Sequence, residues 1–445
     1  MSAQTPVIDS WSCPTTVFAG AGALRRWFAQ PEADGCVLVV DAEVWRVQQE
    51  RLGEATADRV ATRLVVAAGD NDAQRVVAIS AELARRPDAT VVAVGGGSVL
   101  DAARLAVLAR GDDRVHLMLE HGSGMAMFPA DRTASAALVC VPTTFGTAAE
   151  VSPIAMFRDG ERKVMVVSPA LRAHVAVIDP ELTRSLPPQL CAAGLLEPWS
   201  RAVVPAVCGE PLLPADAIAR ALADTIKALG RESAGAMRAD HNSAGVHNAD
   251  ASGGDRSANG TAWRLAAALT SAQTHTAFLS LGRSPFGHAL WPFATEISAA
   301  WGVSKAVALT WLIPAWLEGL AAGELCASFG TSLRVQHVLG SPPVDAAEEF
   351  RRWCAGLGLA FTAPPVAEGG AATGAGRVTA PPSPPTLPPA SQPLPTLPHP
   401  TPATVTAGVR SIWQAGGYFL TGVSAGEVDW LVSRAWPTEN SNSVL

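Results

Sequence analysis

The stretch Thr90-Val-Val-Ala-Val-Gly-Gly-Gly-Ser-Val-Leu-Asp-Ala-Ala-Arg104 decides the fold of the N-terminal half of the chain. It opens with a largely apolar run, continues through three glycines, and then takes on a helical pattern from Ser98. This order predicts a buried strand, a tight turn and a helix. Glycines at such a turn let the backbone approach a pyrophosphate, whose charge is favoured by the helix N-terminus. The spacing is not G-x-G-x-x-G, so taken alone the turn fits a purely structural role equally well.

Four further apolar runs extend the same pattern over the first 190 residues. They are Val37–Val40, Leu64–Val66, Ala137–Val141 and His174–Ile178, and stretches with helical spacing lie between the earlier runs. Continuous apolar strands that alternate with helices are typical of a parallel sheet covered on both faces. We therefore predict an N-terminal α/β dinucleotide-binding domain with a parallel sheet over residues 1–187.

The pattern changes after this point. Apolar residues recur at helical intervals towards the C-terminus, which predicts an all-α C-terminal domain over residues 188–445. Within it, residues 234–260 are rich in Gly, Ala, Ser, Asn and Asp and are expected to form a polar loop, and residues 363–402 contain 13 prolines. Proline at that density is incompatible with a helix or an inner strand. We interpret the second segment as a Pro-rich insertion, a linker being favoured over a PxxP-type ligand.

Composition excludes several classes of protein. With 48% hydrophobic and 16% charged residues, the chain is neither disordered nor fibrous. A formal net charge of −7 and the lack of a basic run argue against nucleic acid as a partner, and no apolar run reaches the ~18–20 residues that span a bilayer. Seven scattered cysteines without a C-x-x-C pair indicate a reducing compartment. We expect a cytoplasmic protein, and a homo-oligomer is compatible with this sequence.

A second polar segment and one acidic residue point to the same ligand as the glycine turn. In Pro142-Thr-Thr-Phe-Gly-Thr147 the hydroxyls flank a glycine and can donate to phosphate or ribose, an ordinary helix N-cap being the alternative. Asp41 ends the first apolar run, where a carboxylate can accept from ribose hydroxyls and would repel a 2′-phosphate. An Asp after a strand is also a common turn residue. These residues favour NAD over NADP.

Together the motifs closely resemble those of the iron-containing alcohol dehydrogenase and dehydroquinate synthase superfamily. They occur in the expected order over nearly the whole chain. The matching segments are PTTVFAGAGAL at 14–24, GGGSVLDAAR at 95–104, PTTFGTAAEV at 142–151, Lys163, DPELTRSLPP at 179–188 and GVSAGEVDWLVSRAW at 422–436. The resemblance implies a nicotinamide dinucleotide bound between two domains.

The resemblance also implies which residues surround the dinucleotide. Asp41 and Asn71 would lie at its adenosine end, and Lys163 near its nicotinamide ribose. The positions around the rest of the molecule would be Gly95, Gly96, Gly97, Ser98, Asp101, Thr143, Thr144, Thr147 and Thr183.

The metal positions of the superfamily are only partly present. Its dehydrogenases hold iron or zinc with an Asp and three His, and its synthases with a Glu from a GLxE motif and two His. Here Glu197 of Gly194-Leu-Leu-Glu197 and His288 of Phe286-Gly-His288 match the synthase ligands. Arg201, Pro292 and Trp301 occupy positions that carry His in the relatives. Catalytic zinc normally takes three protein ligands. We therefore expect a divalent metal, Fe or Zn, to be weakly held or absent, with Glu197 paired to Arg201 instead.

Two residues outside the family pattern are candidates for a third metal ligand. His275 has no helical relation to His288, because Pro285 lies between them. Glu296 lies eight residues after His288, roughly 80° round a helix, and stays open as a candidate.

Three functions fit these residues. The first is an NAD(P)-dependent oxidoreductase acting on an alcohol or carbonyl group. In this enzyme His288 would transfer the proton and Lys163 would lie at the nicotinamide, while Arg201 would stabilise an alkoxide or bind a substrate carboxylate. Its substrate would be a small molecule or a peptide, since dehydrogenase-like proteins of ribosomal-peptide (RiPP) biosynthesis, including the daptide pathway, belong to this superfamily. The second is a sugar-phosphate cyclase of the dehydroquinate synthase type, although Ser200 replaces its expected lysine. The third is an NAD-binding protein that has lost its chemistry.

Overall fold

A computed structural model describes residues 13–67, 69, 71–110, 113–121, 124–128, 137–159, 162–243, 260–359, 401–414 and 419–436. Its nine strands are β1 Thr16–Ala19, β2 Cys36–Asp41, β3 Val60–Val66, β4 Val91–Gly95, β5 Met125–Met127, β6 Leu138–Pro142, β7 Ile154–Asp159, β8 Arg162–Val167 and β9 Val175–Ile178. Six of these strands form one sheet in the order β1-β9-β6-β4-β2-β3, and every neighbouring pair is parallel. The predicted parallel sheet is confirmed.

Each central strand is buried on both faces. In β2, Val37 and Val39 pack into one hydrophobic cluster, and Leu38 and Val40 pack into another on the opposite side. Helices cover both faces, which is why continuous apolar runs, and not alternating ones, mark these strands. The helices of this half are α1 Ala23–Phe28, α2 Ala42–Thr56, α3 Ala73–Ala84, α4 Gly97–Arg110 and α5 Asp113–His121.

A second sheet, which the sequence did not predict, lies beside the first. It has the order β5-β8-β7, and β7 and β8 form an antiparallel hairpin in which Arg158 faces Lys163. β7 alternates part-buried and buried residues from Ile154 to Arg158, whereas β8 is buried at Val164, Met165 and Val166, an apolar run not among the five predicted strands. The hairpin matters for function because it carries Lys163 towards the helical half.

Every regular element described after β9 is helical, as predicted. The helices are α6 Pro188–Ala193, α7 Leu196–Cys208, α8 Leu213–Ser243, α9 Thr261–Gln273, α10 Trp291–Trp301, α11 Lys305–Ala322, α12 Ser332–Leu339, α13 Pro343–Gly356, α14 Pro402–Gly408 and α15 Ala425–Ala435. A six-residue π-helical segment, Val409–Gln414, follows α14. The core is centred on α11, which buries Leu312, Ile313, Trp316 and Leu317 completely. None of the helices in the described part of the chain is long and apolar enough to cross a membrane.

The structure corrects one boundary inside the helical half. The polar loop predicted for residues 234–260 begins too early, because α8 continues to Ser243. Ala234, Ala236, Met237 and Arg238 have high helix propensity, and this outweighs the single glycine among them, Gly235. The rest of that loop, 244–259, and residues 363–400 of the Pro-rich insertion lie outside the described residues.

Candidate active site

A cavity of about 560 Å³ lies between the sheet and the helical half. Its wall combines the start of α4, the β7–β8 hairpin, α7, the segment after α9 and the start of α11. Clefts between domains are common ligand sites because each side contributes its own polar groups. Most of the predicted site residues converge here.

The glycine turn and the Pro142–Thr147 segment are packed directly against each other. Thr143 N donates to Gly95 O at 3.0 Å, and a Cβ on Gly97 would lie 2.9 Å from Thr147 Cγ2. Any larger residue at position 97 must displace Thr147. Gly97 and Ser98 line the cavity and begin α4, whose first N–H groups have no partner within the helix. This is an arrangement that fits a pyrophosphate.

A second close approach joins the two halves of the molecule. Gly146 has a φ of 112°, and a Cβ there would lie 2.7 Å from Gly194 O. A Cβ on Gly194 would in turn lie 2.9 Å from Phe145 O. The loop of the Pro142–Thr147 segment thus touches the backbone that leads into α7, and both positions require glycine.

Arg201 is the buried centre of this junction. Its Nε donates to Thr274 Oγ1 at 3.0 Å, its Nη1 lies 3.5 Å from Glu197 Oε2, and its Nη2 donates to Gly146 O and to Ser271 Oγ at 3.4 Å. Burial lowers the pKa of Arg201 to about 10, so the guanidinium stays cationic at neutral pH. The predicted Glu197–Arg201 pair is present. Because its donors are largely used inside the protein, Arg201 is a poor anchor for a substrate carboxylate.

His288 lines the cavity as a neutral imidazole. Burial lowers its pKa to about 3. Its Nε2 lies 3.2 Å from Ser200 Oγ, and that hydroxyl donates to Glu197 O at 2.9 Å. A hydroxyl has one proton, so Nε2 is best satisfied as the donor, which leaves Nδ1 as an acceptor. Nδ1 is buried without a hydrogen-bond partner among the described residues.

Lys163 lies on β8 and reaches across the cavity to the helical half. Its Nζ donates to Ser298 Oγ at 2.9 Å, on α10. The ammonium of Lys163 is therefore hydrogen-bonded within the protein, unlike that of a typical surface lysine. Lys163 lies on the cavity wall, and its expected place near the nicotinamide ribose stays a prediction.

Lys305 is a site residue that the sequence-based analysis missed. It is the first residue of α11, after the N-cap Ser304, and its Nζ lies 3.9 Å from the ring centre of Trp291. Burial lowers the pKa of Lys305 to about 8. The only signal in the sequence is that the chain has three lysines, and nothing local distinguishes this one.

The structure divides the predicted site residues into two groups. Those that line the cavity are Asn71, Gly97, Ser98, Asp101, Thr147, Lys163, Glu197, Arg201 and His288. Those that do not are Asp41, Gly95, Gly96, Thr143, Thr144 and Thr183. His275, Trp291 and Lys305 line it without having been predicted as ligands of substrate or cofactor. Burial and the nearby Arg201 hold the pKa of His275 well below its usual value.

Several predicted residues have local structural partners. Asp41 accepts from the N–H groups of Glu43 and Val44 and so caps α2. Thr183 Oγ1 donates to Pro180 O at 2.8 Å. Asp101 accepts from Met156 N at 2.9 Å and from the Arg104 guanidinium. The side chain of Asp41 thus acts as a local turn and cap residue. Asp41 nevertheless lies next to the glycine turn, because a Cβ on Gly95 would lie 3.2 Å from Asp41 Cβ.

The residues present do not fit a catalytic divalent metal. Glu197 and His288 are the retained ligand types, and the cationic Arg201 lies against Glu197. Glu296, the remaining candidate, accepts from Trp413 Nε1 at 2.7 Å. Within the described ranges no three His, Cys, Asp or Glu side chains form a group that could hold a metal ion. A metal beside the guanidinium would also meet its repulsion at short range.

The chain is similar to proteins of one family. Residues 14–180 match the family model described as iron-containing alcohol dehydrogenase. A choline dehydrogenase of Bacillus subtilis is 30% identical over 207 residues, which are 44% of this chain and 50% of that protein. The chain thus spans about half the length of the curated relatives it matches, and the matched part carries both cofactor motifs.

Solved structures extend the likeness in fold to the whole chain. An NADH-dependent butanol dehydrogenase of Thermotoga maritima superposes with a TM-score of 0.70 and 15% identity, covering 97% of this chain and 99% of that one. A sulfoacetaldehyde reductase of Bifidobacterium kashiwanohense, solved with NAD⁺, superposes with a TM-score of 0.61 and 19% identity, covering 80% and 88%. At these identities the comparison establishes the two-domain fold.

Proposed function

We propose that the chain is a member of the iron-containing alcohol dehydrogenase family, whose model matches residues 14–180, and that it is an NAD-dependent oxidoreductase that interconverts an alcohol and a carbonyl compound. One observation carries the proposal. The glycine turn at the start of α4 packs on Thr147, and both line a cavity that also contains Lys163 and His288. A phosphate-binding turn and a neutral imidazole in one cavity suit hydride transfer coupled to the movement of a hydroxyl proton.

The cofactor would be held by the turn and by the hairpin. Gly97 and Ser98 offer the N–H groups at the start of α4 to the pyrophosphate. Lys163, held by Ser298, contributes a positive charge that suits the ribose end. When bound, the nicotinamide supplies the hydride acceptor or donor. The cavity lies between the two halves, which is where a dinucleotide would bind under this proposal.

His288 would take the part nearest to the reacting hydroxyl. Its Nδ1 is an unpartnered acceptor, and Ser200 fixes the ring through Nε2. With a pKa of about 3, the imidazole accepts the hydrogen bond of the substrate O–H, and the proton released as the hydride moves to the nicotinamide passes on to water instead of staying on His288. Because Glu197 and His288 do not fit a metal, the proposed reaction uses none.

Relatives do not decide the charge of the substrate. Choline is a cation and sulfoacetaldehyde is an anion, and both occur in the names of similar proteins. A modified peptide rests on the resemblance alone. The charges of the cavity residues are the better guide to the substrate.

The proposal is tested by titrating chelator-treated protein with NADH and following nicotinamide fluorescence. We expect saturable binding that Gly97→Val abolishes, since the new side chain must displace Thr147. Gly53→Ala is the control, because Gly53 lies in α2, does not line the cavity, and a Cβ there meets nothing within 4 Å. NADH oxidation with short aldehydes should follow in the same metal-free protein. No NADH binding would refute the proposal, and binding without turnover of any aldehyde would favour an inactive NAD-binding protein.

Cofactor preference needs its own test. The carboxylate of Asp41, at the end of β2, would disfavour a 2′-phosphate, so NADH should bind more tightly than NADPH. Since Asp41 also caps α2, Asp41→Asn is the right change, because it keeps a capping oxygen and removes the charge. Equal affinity of the natural protein for the two cofactors would remove Asp41 from the site.

A further inference from the structure

We propose that Lys305 binds an anionic group of the substrate, so that the protein acts on short hydroxy or oxo compounds that carry a carboxylate or sulfonate. The inference rests on the proposed oxidoreductase function and specifies its substrate class. It depends on which charges in the cavity are already paired within the protein.

The cavity wall is strongly cationic. Its positive side chains are Arg104, Arg158, Lys163, Arg172, Arg201 and Lys305, and its carboxylates are Asp101 and Glu197. Both cavity histidines, His275 and His288, are held neutral by burial. A cleft in which one sign of charge dominates concentrates ligands of the opposite sign.

Most of these cations are already engaged with the protein. The contacts are Arg104 with Asp101, Lys163 with Ser298 Oγ, Arg172 with Val151 O, and Arg201 with Glu197. Arg158 also has a partner. Lys305 differs, because no hydrogen bond or ion pair joins its Nζ to any residue that the structure describes, and its contact is the face of Trp291 at 3.9 Å. An ammonium on a cavity wall without a hydrogen-bond acceptor is a ready site for an anion.

Lys227 shows what the fold does with a similar lysine elsewhere. It also lies over an indole, with Nζ 5.9 Å from the ring centre of Trp199, and it is buried away from the cavity. There the protein supplies the counter-charge, since Nζ lies 2.9 Å from Glu349 Oε1. No described carboxylate forms an ion pair with Lys305 Nζ, so a bound ligand can supply the counter-charge.

The position of Lys305 relates the anion to the reacting hydroxyl. Trp291 contacts both groups, with its ring centre 5.5 Å from that of His288 and 3.9 Å from Lys305 Nζ, so the imidazole and the ammonium lie close to each other on the cavity wall. A substrate whose hydroxyl is accepted by His288 Nδ1 can therefore reach Lys305 with a short carbon chain. The positive end of the α11 macrodipole adds to the attraction at this point.

The experiment uses full-length protein saturated with NADH, in which an alcohol binds but cannot be oxidised. Calorimetry compares 4-hydroxybutyrate with 1-butanol, which has the same chain length and no charge, and 2-hydroxyethanesulfonate with ethanol. We expect the anionic member of at least one pair to bind about tenfold or more tightly, as one charge-assisted hydrogen bond allows. Lys305→Met should remove that difference, Lys305→Arg should retain part of it, and Lys227→Met should leave it unchanged.

The results separate this inference from the proposed function. Saturable NADH binding with equal affinity for charged and neutral alcohols would overturn the role of Lys305 and leave the oxidoreductase proposal standing. A loss of NADH affinity in Lys305→Met, with the preference for anions kept, would assign the lysine to the cofactor and overturn the inference as well. A preference for anions that Lys305→Met does not change would place the anion site elsewhere.

The charge of Lys305 gives a second readout. Its pKa is about 8, because burial outweighs its attraction to carboxylates. The charged groups that act on it from neighbouring elements are Glu197 and Arg201 on α7, Asp101 on α4 and Lys163 on β8. The ammonium is the binding form, so affinity for the anion should fall as the pH rises through that region. A bound anion stabilises the ammonium, so the fall is expected above pH 8 and not below it.

Discussion

Replacing Arg201 with Met should reveal how the buried junction between the two halves is stabilised. The change removes a cation that contacts Glu197, Gly146, Thr274 and Ser271. Two effects oppose each other. The guanidinium is costly to bury, which is why its pKa falls to about 10, but its removal leaves Glu197 as a buried carboxylate without its partner.

The second effect should win. Removing one member of a buried ion pair costs about 3–5 kcal/mol. The value here should lie at the low end, about 3 kcal/mol, since the pair is long at 3.5 Å and Lys305 also attracts Glu197. The double variant Arg201→Met, Glu197→Gln should recover about 2 kcal/mol of that loss, because no uncompensated charge is then buried.

The assay is equilibrium unfolding in urea, followed by tryptophan fluorescence and by far-UV circular dichroism, on the natural protein, both single variants and the double variant. Coincident transitions are required before free energies are compared. Arg201→Lys is the control that keeps the charge while losing the planar fork, and it should fall between the natural protein and the Met variant. If the double variant is no more stable than Arg201→Met, the ion pair is not what stabilises the junction and the reasoning fails.

Three further predictions concern stability and metal content. Burial raises the pKa of Glu150 from 4.5 to about 7, so the folded state holds the proton more tightly than the unfolded state. The free energy of unfolding therefore falls as the pH rises from 4.5 to 7. Glu150→Gln should raise the free energy of unfolding by at most about 3 kcal/mol at pH 8 and should not change it below pH 4.5. Equal effects in urea titrations at both pH values would contradict this. Asp216 is buried between the guanidinium groups of Arg283 and Arg334, so Asp216→Asn should lower stability by about 3–5 kcal/mol in the same assay, and a change under 1 kcal/mol would show the network to be dispensable. Elemental analysis of protein prepared without chelator should find far less than one iron or zinc per chain, and one tightly held metal that disappears in His288→Ala would refute the metal-free reading.

Much of the fold follows from local patterns. The five apolar runs predicted from the sequence are all strands of the parallel sheet, because a strand buried on both faces must be apolar at every position. The β7–β8 hairpin was not predicted: β7 alternates and carries Arg158, and the short apolar run 164–167 of β8 follows the charged Lys163. The extension of α8 past residue 234 escaped it because composition was given more weight than the helix propensity of alanine.

The site was predictable only where neighbours in sequence are neighbours in space. Glu197 and Arg201 are four residues apart on one helix, so their pairing could be expected from spacing alone. Asp41 ends a strand, as expected, but its carboxylate caps the helix that follows. The capping role of Asp41 involves only the next three residues and could have been inferred from the sequence, whereas its absence from the cavity wall could not.

The parallel sheet and the glycine turn at the start of α4 can be derived from the amino-acid sequence, since they depend on periodicity and on backbone room. The pairing of charges depends on the three-dimensional packing. Lys227 meets Glu349 across 122 residues of chain, while Lys305 meets an indole and no described carboxylate. The residues next to each lysine in the sequence do not indicate which of the two is paired. The difference between the two lysines depends on the packing of distant segments, because an ion pair is set by distance in space and not along the chain.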